Sequence, residues 1–171
     1  IVLENGTLSV DIANDLNAST TGTITATIAS SVASLTELEG TNAYSITIAS
    51  GDATAATADQ LNTINGATTV AIDASGVTGL ASDSISNIKT LLTAGNDTAQ
   101  FTAESFGSLA TVVVSGSTLD VTELNDAITQ AITVTDDTTN TVFSLSSGAT
   151  ISSGDELAFS TLFTNKENGH L

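Results

Sequence analysis

Self-similarity at a fixed spacing constrains this chain more than any other feature, because a segment that recurs every two dozen residues or so folds as stacked units rather than around one irregular core. Ala13 to Leu35 aligns without a gap on Ala58 to Leu80. The alignment pairs Ala13 with Ala58, Leu16 with Leu61, Asn17 with Asn62, Thr23 with Thr68, Ala26 with Ala71, Ala29 with Ala74, Ser30 with Ser75, Val32 with Val77 and Leu35 with Leu80. The Leu-Asn pair and the closing Leu fall in step.

Helix starts refine the unit. A Ser, Thr or Asp followed three residues later by Glu or Gln can cap a helix reciprocally. Ser34 with Glu37, Thr57 with Gln60, Asp120 with Glu123 and Ser153 with Glu156 fit that pattern, and Asp11, Ser82 or Asp83, and Thr102 are weaker starts. The earlier starts recur at about 23 residues. Gly40, Gly66 and Gly95 sit where a left-handed residue would end a short helix. Alternating β-branched runs predict strands at Thr23–Ile28, Tyr44–Ile48, Thr68–Ile72, Thr111–Val114, Ala131–Thr135 and Thr141–Leu145. Ile85, Ile88, Leu91 and Leu92 mark one face of a helix over Asp83–Ala94.

A capped helix, a turn and a short strand cannot bury their apolar side alone, but stacked neighbours can line their strands in parallel and share a core. The expected fold is therefore an α/β repeat solenoid spanning 1–171, of period about 23 residues. It is more regular over 1–95 and less so over 96–171, where all five Phe lie and a C-terminal cap can form. A compact α+β domain with some antiparallel pairs is the alternative.

Nineteen acidic residues against Lys89 and Lys166 give a formal net charge of −17, which excludes nucleic acid and anionic membrane surfaces as partners. The repulsion is screened in a saline medium, so the charge suits an extracellular setting. No apolar run approaches the roughly 20 residues of a membrane span. The absence of Cys removes disulfides and thiolate sites, and a chain opening at Ile1 with no Met reads as a piece of something longer.

Chemistry is sparse. His170, the single histidine, reads as a solvated tail residue, and neither a phosphate loop nor a dinucleotide fingerprint occurs. A carboxylate pair cleaving sugars would want aromatic platforms, and the chain has no Trp and one Tyr. The expectation is a non-enzyme. No cofactor is expected; calcium is the ion weighed, with Asp97 in Gly95-Asn96-Asp97 and the pair Asp136-Asp137 as candidate donors. A Thr face facing an ice lattice would use Thr23, Thr25 and Thr27, then Thr133 and Thr135. Leu157, Phe159, Leu162 and Phe163 form a candidate cap or docking surface for a further copy.

The stretch YSITIASGDATAATADQLNTINGATTVAIDASGVTGL, Tyr44 to Leu80, resembles the tandem repeats of very large surface and secreted proteins of marine cyanobacteria. Their helix "A-x-x-L-N-T-L/I-x-G" falls on Ala58, Leu61, Asn62, Thr63, Ile64 and Gly66, and their strand "T-x-V-A-I/V-D-A-S-x-V" covers Val70 to Ser75 and ends at Val77. Ala13 to Leu35 and Leu119 to Asp136 fit more loosely, and Asn140 to Leu171 departs from the pattern. The resemblance implies an extracellular structural repeat module of an adhesin-like protein, or a self-assembling filament subunit, whose partners are copies of itself or neighbouring repeats. The alternatives are a module binding glycan, calcium or ice, and a segment of a phage fibre.

Overall fold

Thr alternating with Ile and Ala gives a pleated strand one wet and one dry side. In β2 (Thr25–Ile28), Ala26 and Ile28 are buried while Thr25 and Thr27 face out. A computed structural model describes residues 1–52, 55–136, 139–152 and 156–171, without the side chains of residues 4, 5, 50, 152, 156, 157 and 163. Among the described residues, β2 is one of eight short strands interspersed with six α-helices. β1 (Val2–Leu8), β2 and β3 (Ala43–Ile46) form one sheet; β4 (Gly79–Ser84), β5 (Thr111–Ser115) and β7 (Val142–Leu145) form a second; β6 (Thr118–Asp120) and β8 (Thr150–Ser152) form a third. Every described pairing is parallel, including the isolated bridges Asn42 to Thr68, Thr47 to Asp73 and Ile72 to Phe101. The chain is thus a mixed α/β protein of parallel strands in open sheets, an architecture that an α+β description also accommodates.

The helices are α1 (Val10–Ser19), α2 (Val32–Leu35), α3 (Ala58–Gly66), α4 (Ile85–Gly95), α5 (Val121–Val134) and α6 (Glu156–Glu167). Thr57 and Gln60 form the expected capping box, with both reciprocal bonds present, and Asp120 accepts from the N–H groups of Thr122 and Glu123. Elsewhere the cap moves to a neighbouring serine: Ser9 caps α1, Ser31 caps α2 and Ser84 caps α4. A hydroxyl one step before the first buried residue wins over the acid or serine inside the turn. Thr102 starts no helix; its hydroxyl meets that of Ser105 in a turn where Phe106 takes a left-handed φ of 61°. Ser153 lies outside the described residues.

Of the three candidate stop glycines, Gly40 is left-handed (φ +72°), and a Cβ there would also lie 2.7 Å from Asn17 Oδ1. Gly66 and Gly95 instead close α3 and α4, whose C-caps Ala67 and Asn96 keep right-handed backbone. Gly95 is required by packing, since a Cβ would sit 2.9 Å from the Phe106 ring. The strand expected at 131–135 is the end of α5. Local β-branched preference there loses to the helical face of Leu124, Ala127, Ile128 and Ala131, all buried. Residues 68–72 contribute bridges at their ends but no extended ladder.

One core of Ala, Val, Ile, Leu, Tyr44 and Phe runs through all three sheets. Between neighbouring strands and turns the polar groups are paired by side chains. Buried Asn42 accepts from the Ile24 N–H at 2.9 Å and donates to Asn17 Oδ1 at 3.0 Å, 25 residues back. Buried Thr68 donates to the Tyr44 carbonyl at 2.7 Å and accepts from the Tyr44 N–H at 3.1 Å. Buried Ser105 repeats the device, donating to the Ile72 carbonyl at 3.1 Å and accepting from the Ala74 N–H at 2.9 Å. Asn42→Ala is expected to lower unfolding free energy by about 1–3 kcal/mol, the cost of stranding a buried N–H, measured by urea denaturation. The buried Tyr44 hydroxyl meets no group in good hydrogen-bonding geometry among the described residues, and desolvation pushes the phenol pKa up, partly opposed by the nearby Asn42 side chain. Tyr44→Phe should therefore leave the urea midpoint unchanged or raise it, where the loss of a bonded hydroxyl would lower it.

Candidate functional site

The acidic side chains divide by what their oxygens accept. Asp97 follows α4; its Oδ1 accepts from the Ala99 N–H and its Oδ2 from the Gln100 amide, each at 2.9 Å. The Gln100 and Ala99 donors hold its carboxyl below the usual range. Gln100 in turn accepts from Asn65 at 2.8 Å, tying this turn to the end of α3. Asp73 has the same local geometry, accepting from the Ser75 hydroxyl at 2.6 Å and its N–H at 3.0 Å, and its pKa is lowered for that reason. Asp136, at a left-handed φ of 49°, lines a groove of about 420 Å³ with Ser75, Glu104, Ser108 and Thr135. Asp137 lies outside the described residues. Among the described residues no three acidic or histidine side chains converge as a cation-holding group.

A second set of acids works between distant segments, and no capping pattern in the sequence signals it because the partners are far apart in the chain. Asp52 accepts from the Val32 N–H at 3.1 Å, at the start of α2 and 20 residues earlier. Asp83 accepts from the Asp59 N–H at 2.6 Å, in the first turn of α3 and 24 residues earlier, while its other oxygen takes Ser84 N–H and the Asn87 amide. Each carboxylate meets the orphan donors and positive end of a helix that starts earlier in the chain. Among the described residues the reverse charge appears once: Lys89 of α4 reaches Asp126 of α5 at 2.7 Å, and that carboxylate raises the ammonium pKa.

The C-terminal candidates are partly described. Leu162 of α6 is buried and Phe159 is half-buried against the core; the side chains of Leu157 and Phe163 lie outside the description. Leu162, Val142, Phe143, Leu145 and Ile151 line an apolar groove of about 540 Å³, with Lys166 at its margin. His170 is not the solvated tail residue its position suggests. It is 6% exposed, its ring nitrogen lies 3.1 Å from the Thr141 carbonyl, and its own carbonyl accepts from Phe143 N–H at 2.8 Å beside β7. The Thr face is similarly divided. Thr25 and Thr27 stand on the exposed side of β2, whereas Thr133 is helical and Thr135 is a buried C-cap donating to the Ala131 carbonyl. A polar groove of about 580 Å³ across α3 and α4 is lined by Asn62, Asn65, Thr90, Thr93 and Gln100. Those groups already donate, to Asn87 and Gln100 from the two asparagines and to Ser86 and Lys89 carbonyls from the two threonines.

Comparison of the chain with protein families, with curated proteins and with solved structures finds no match.

The native state holds Asp73 and Asp97 ionised below the ordinary carboxylate pKa of about 4, so it binds fewer protons there than the unfolded chain. Their stabilisation is complete above that pH and is lost as the pH falls through the lowered native values. Asp97→Asn should flatten the acid limb of melting temperature against pH, and an unchanged limb would show that the Gln100 and Ala99 bonds do not favour the charge. Calcium titrated in the same assay is expected to leave the melting temperature unchanged at Asp97, whose two oxygens are already engaged; a rise abolished by Asp97→Asn would place a site there.

Proposed function

We propose that this chain is a structural repeat module that builds length outside the cell, its units stacked as coils of an α/β solenoid. The observation that carries the reading is the order of neighbours. Strand partners in each parallel pair belong to consecutive passes of the chain, and α3, α4, α5 and α6 pack in succession. The bonds between units keep step with it, at separations of 25 residues for Asn17 with Asn42 and Asn62 with Asn87, and 33 for Asn125 with the Ala158 carbonyl. Those asparagines close three Leu-Asn pairs whose leucines, Leu16, Leu61 and Leu124, pack on the core. The extracellular setting rests on the resemblance of Tyr44–Leu80 to repeats of large secreted proteins and on a charge tolerated best in salt. The same reading makes the chain non-catalytic and directs the search for partners to neighbouring repeats and further copies.

Neighbouring strands lie about 4.8 Å apart, so a stack of so few passes is about as long as it is wide, and removing a pass tests it where overall shape does not. The stack predicts that deleting residues 67–95, one complete pass, leaves a shorter but cooperatively folding chain, measured by urea denaturation, whereas a domain with a single closed core would lose its transition.

A further inference from the structure

We propose that the polar groove along α4 binds a linear aliphatic polyamine, its ammonium groups held by side-chain oxygens that the fold leaves without donors. The groove, of about 580 Å³, lies in the middle of the chain, with α3 and α5 packed on either side of α4. Ser86, Lys89, Thr90, Thr93 and Ala94 line it from α4. Their spacing by three and four keeps them on one side of the helix, along about 12 Å of its length.

What such a groove recognises follows from the bonds its groups already make. The Asn62 amide donates to the Asn87 carbonyl at 3.0 Å, the Asn65 amide to Gln100 at 2.8 Å, and the Gln100 amide to Asp97 at 2.9 Å. The Thr90 and Thr93 hydroxyls donate to the Ser86 and Lys89 carbonyls of their own helix at 2.9 and 2.8 Å. A hydroxyl has one hydrogen and two lone pairs, so each threonine has only lone pairs left for a ligand. The side-chain oxygens of Asn62, Asn65, Thr90, Thr93 and Glu123 accept no hydrogen bond among the described residues. A ligand that fits must therefore bring the donors.

Charge makes those donors cationic. Glu123 places a carboxylate in the lining from α5. Asn65 and Gly66 close α3, and Thr93 and Ala94 belong to the last turn of α4. The negative end of a helix favours a cation, and neither of these last turns carries a basic residue. Lys89, the one basic side chain described in the lining, is held by Asp126 at 2.7 Å. An anion would meet acceptors and a body of charge −17, and a neutral sugar would leave that charge unanswered. The methylenes between the ammonium groups of a polyamine have the methyl groups of Thr90, Thr93 and Ala94 to lie against.

Isothermal titration calorimetry of the full chain with spermidine tests the assignment, at about 0.1 M salt, where charges more than about 10 Å apart are largely screened. Wild type should bind spermidine saturably at one site. Thr90→Val with Thr93→Val keeps the shape of two exposed side chains and removes their oxygens. That pair should weaken binding by about tenfold or more, as expected for lost hydrogen bonds to a charged group, with an unchanged circular dichroism melt. Glu123→Gln should also weaken it, whereas Glu104→Gln, the same loss of charge outside the groove, should bind as wild type does. Binding unmoved by the threonine pair, or weakened equally by Glu104→Gln and Glu123→Gln, would reduce the effect to diffuse attraction by an acidic body and overturn the site. A wild type that takes up no spermidine would overturn it as well.

Discussion

Two buried hydroxyls carry a burden out of proportion to their size. The strand passage over residues 68–73 and the turn after Phe101 do not run as unbroken ladders, so a peptide N–H and a carbonyl of the preceding strand are left facing a gap in a dry interior. Thr68 and Ser105 fill that gap by acting as peptide groups, each giving one hydrogen bond and taking one across it, while Thr68 also accepts from the Val70 N–H and Ser105 also meets the Thr102 hydroxyl. An unsatisfied buried N–H costs about 1–3 kcal/mol, comparable with burying a whole Val or Leu. Were these positions apolar, the sheet would be interrupted at both places and the passes on either side would lose their fixed spacing.

The same logic explains how so acidic a chain packs. Its side chains are small, so each layer buries modest apolar area and the tolerance for unpaired polar atoms between layers is correspondingly low. Asn42, Asn125 and the carboxylates of Asp52 and Asp83 answer this by placing polar side chains between segments distant in the chain rather than on the surface alone. Negative charge placed at helix starts is favourable twice, satisfying the free N–H groups and opposing the dipole. The chain can therefore carry many carboxylates with few cations to balance them.

Much of the local structure was legible in the sequence. The capping box at Thr57 and the buried stripe of α4 are signals in which near neighbours decide the outcome, and both appear as expected. What was hidden depends on partners far along the chain. The aligned segments Val32–Leu35 and Val77–Leu80 show this best. Both bury their Val and Leu, yet the first is a helical turn capped by Ser31 and the second leads into β4 through Gly79. Similar residues thus meet the core by different backbones, and the neighbouring pass selects which. His170 follows the same rule: its place near the chain end says nothing of Thr141 and Phe143, which bond its ring and its carbonyl.

The direction of these bonds carries a further consequence. The N–H groups of Ile24, Val32, Tyr44, Asp59 and Ala74 are satisfied by the later side chains of Asn42, Asp52, Thr68, Asp83 and Ser105, while the Glu39 N–H turns back to Asn14. A fragment that stops short of any of those five later residues leaves the matching donor without its acceptor, so damage at one point of the sequence is felt in a strand or helix about 20 to 30 residues before it.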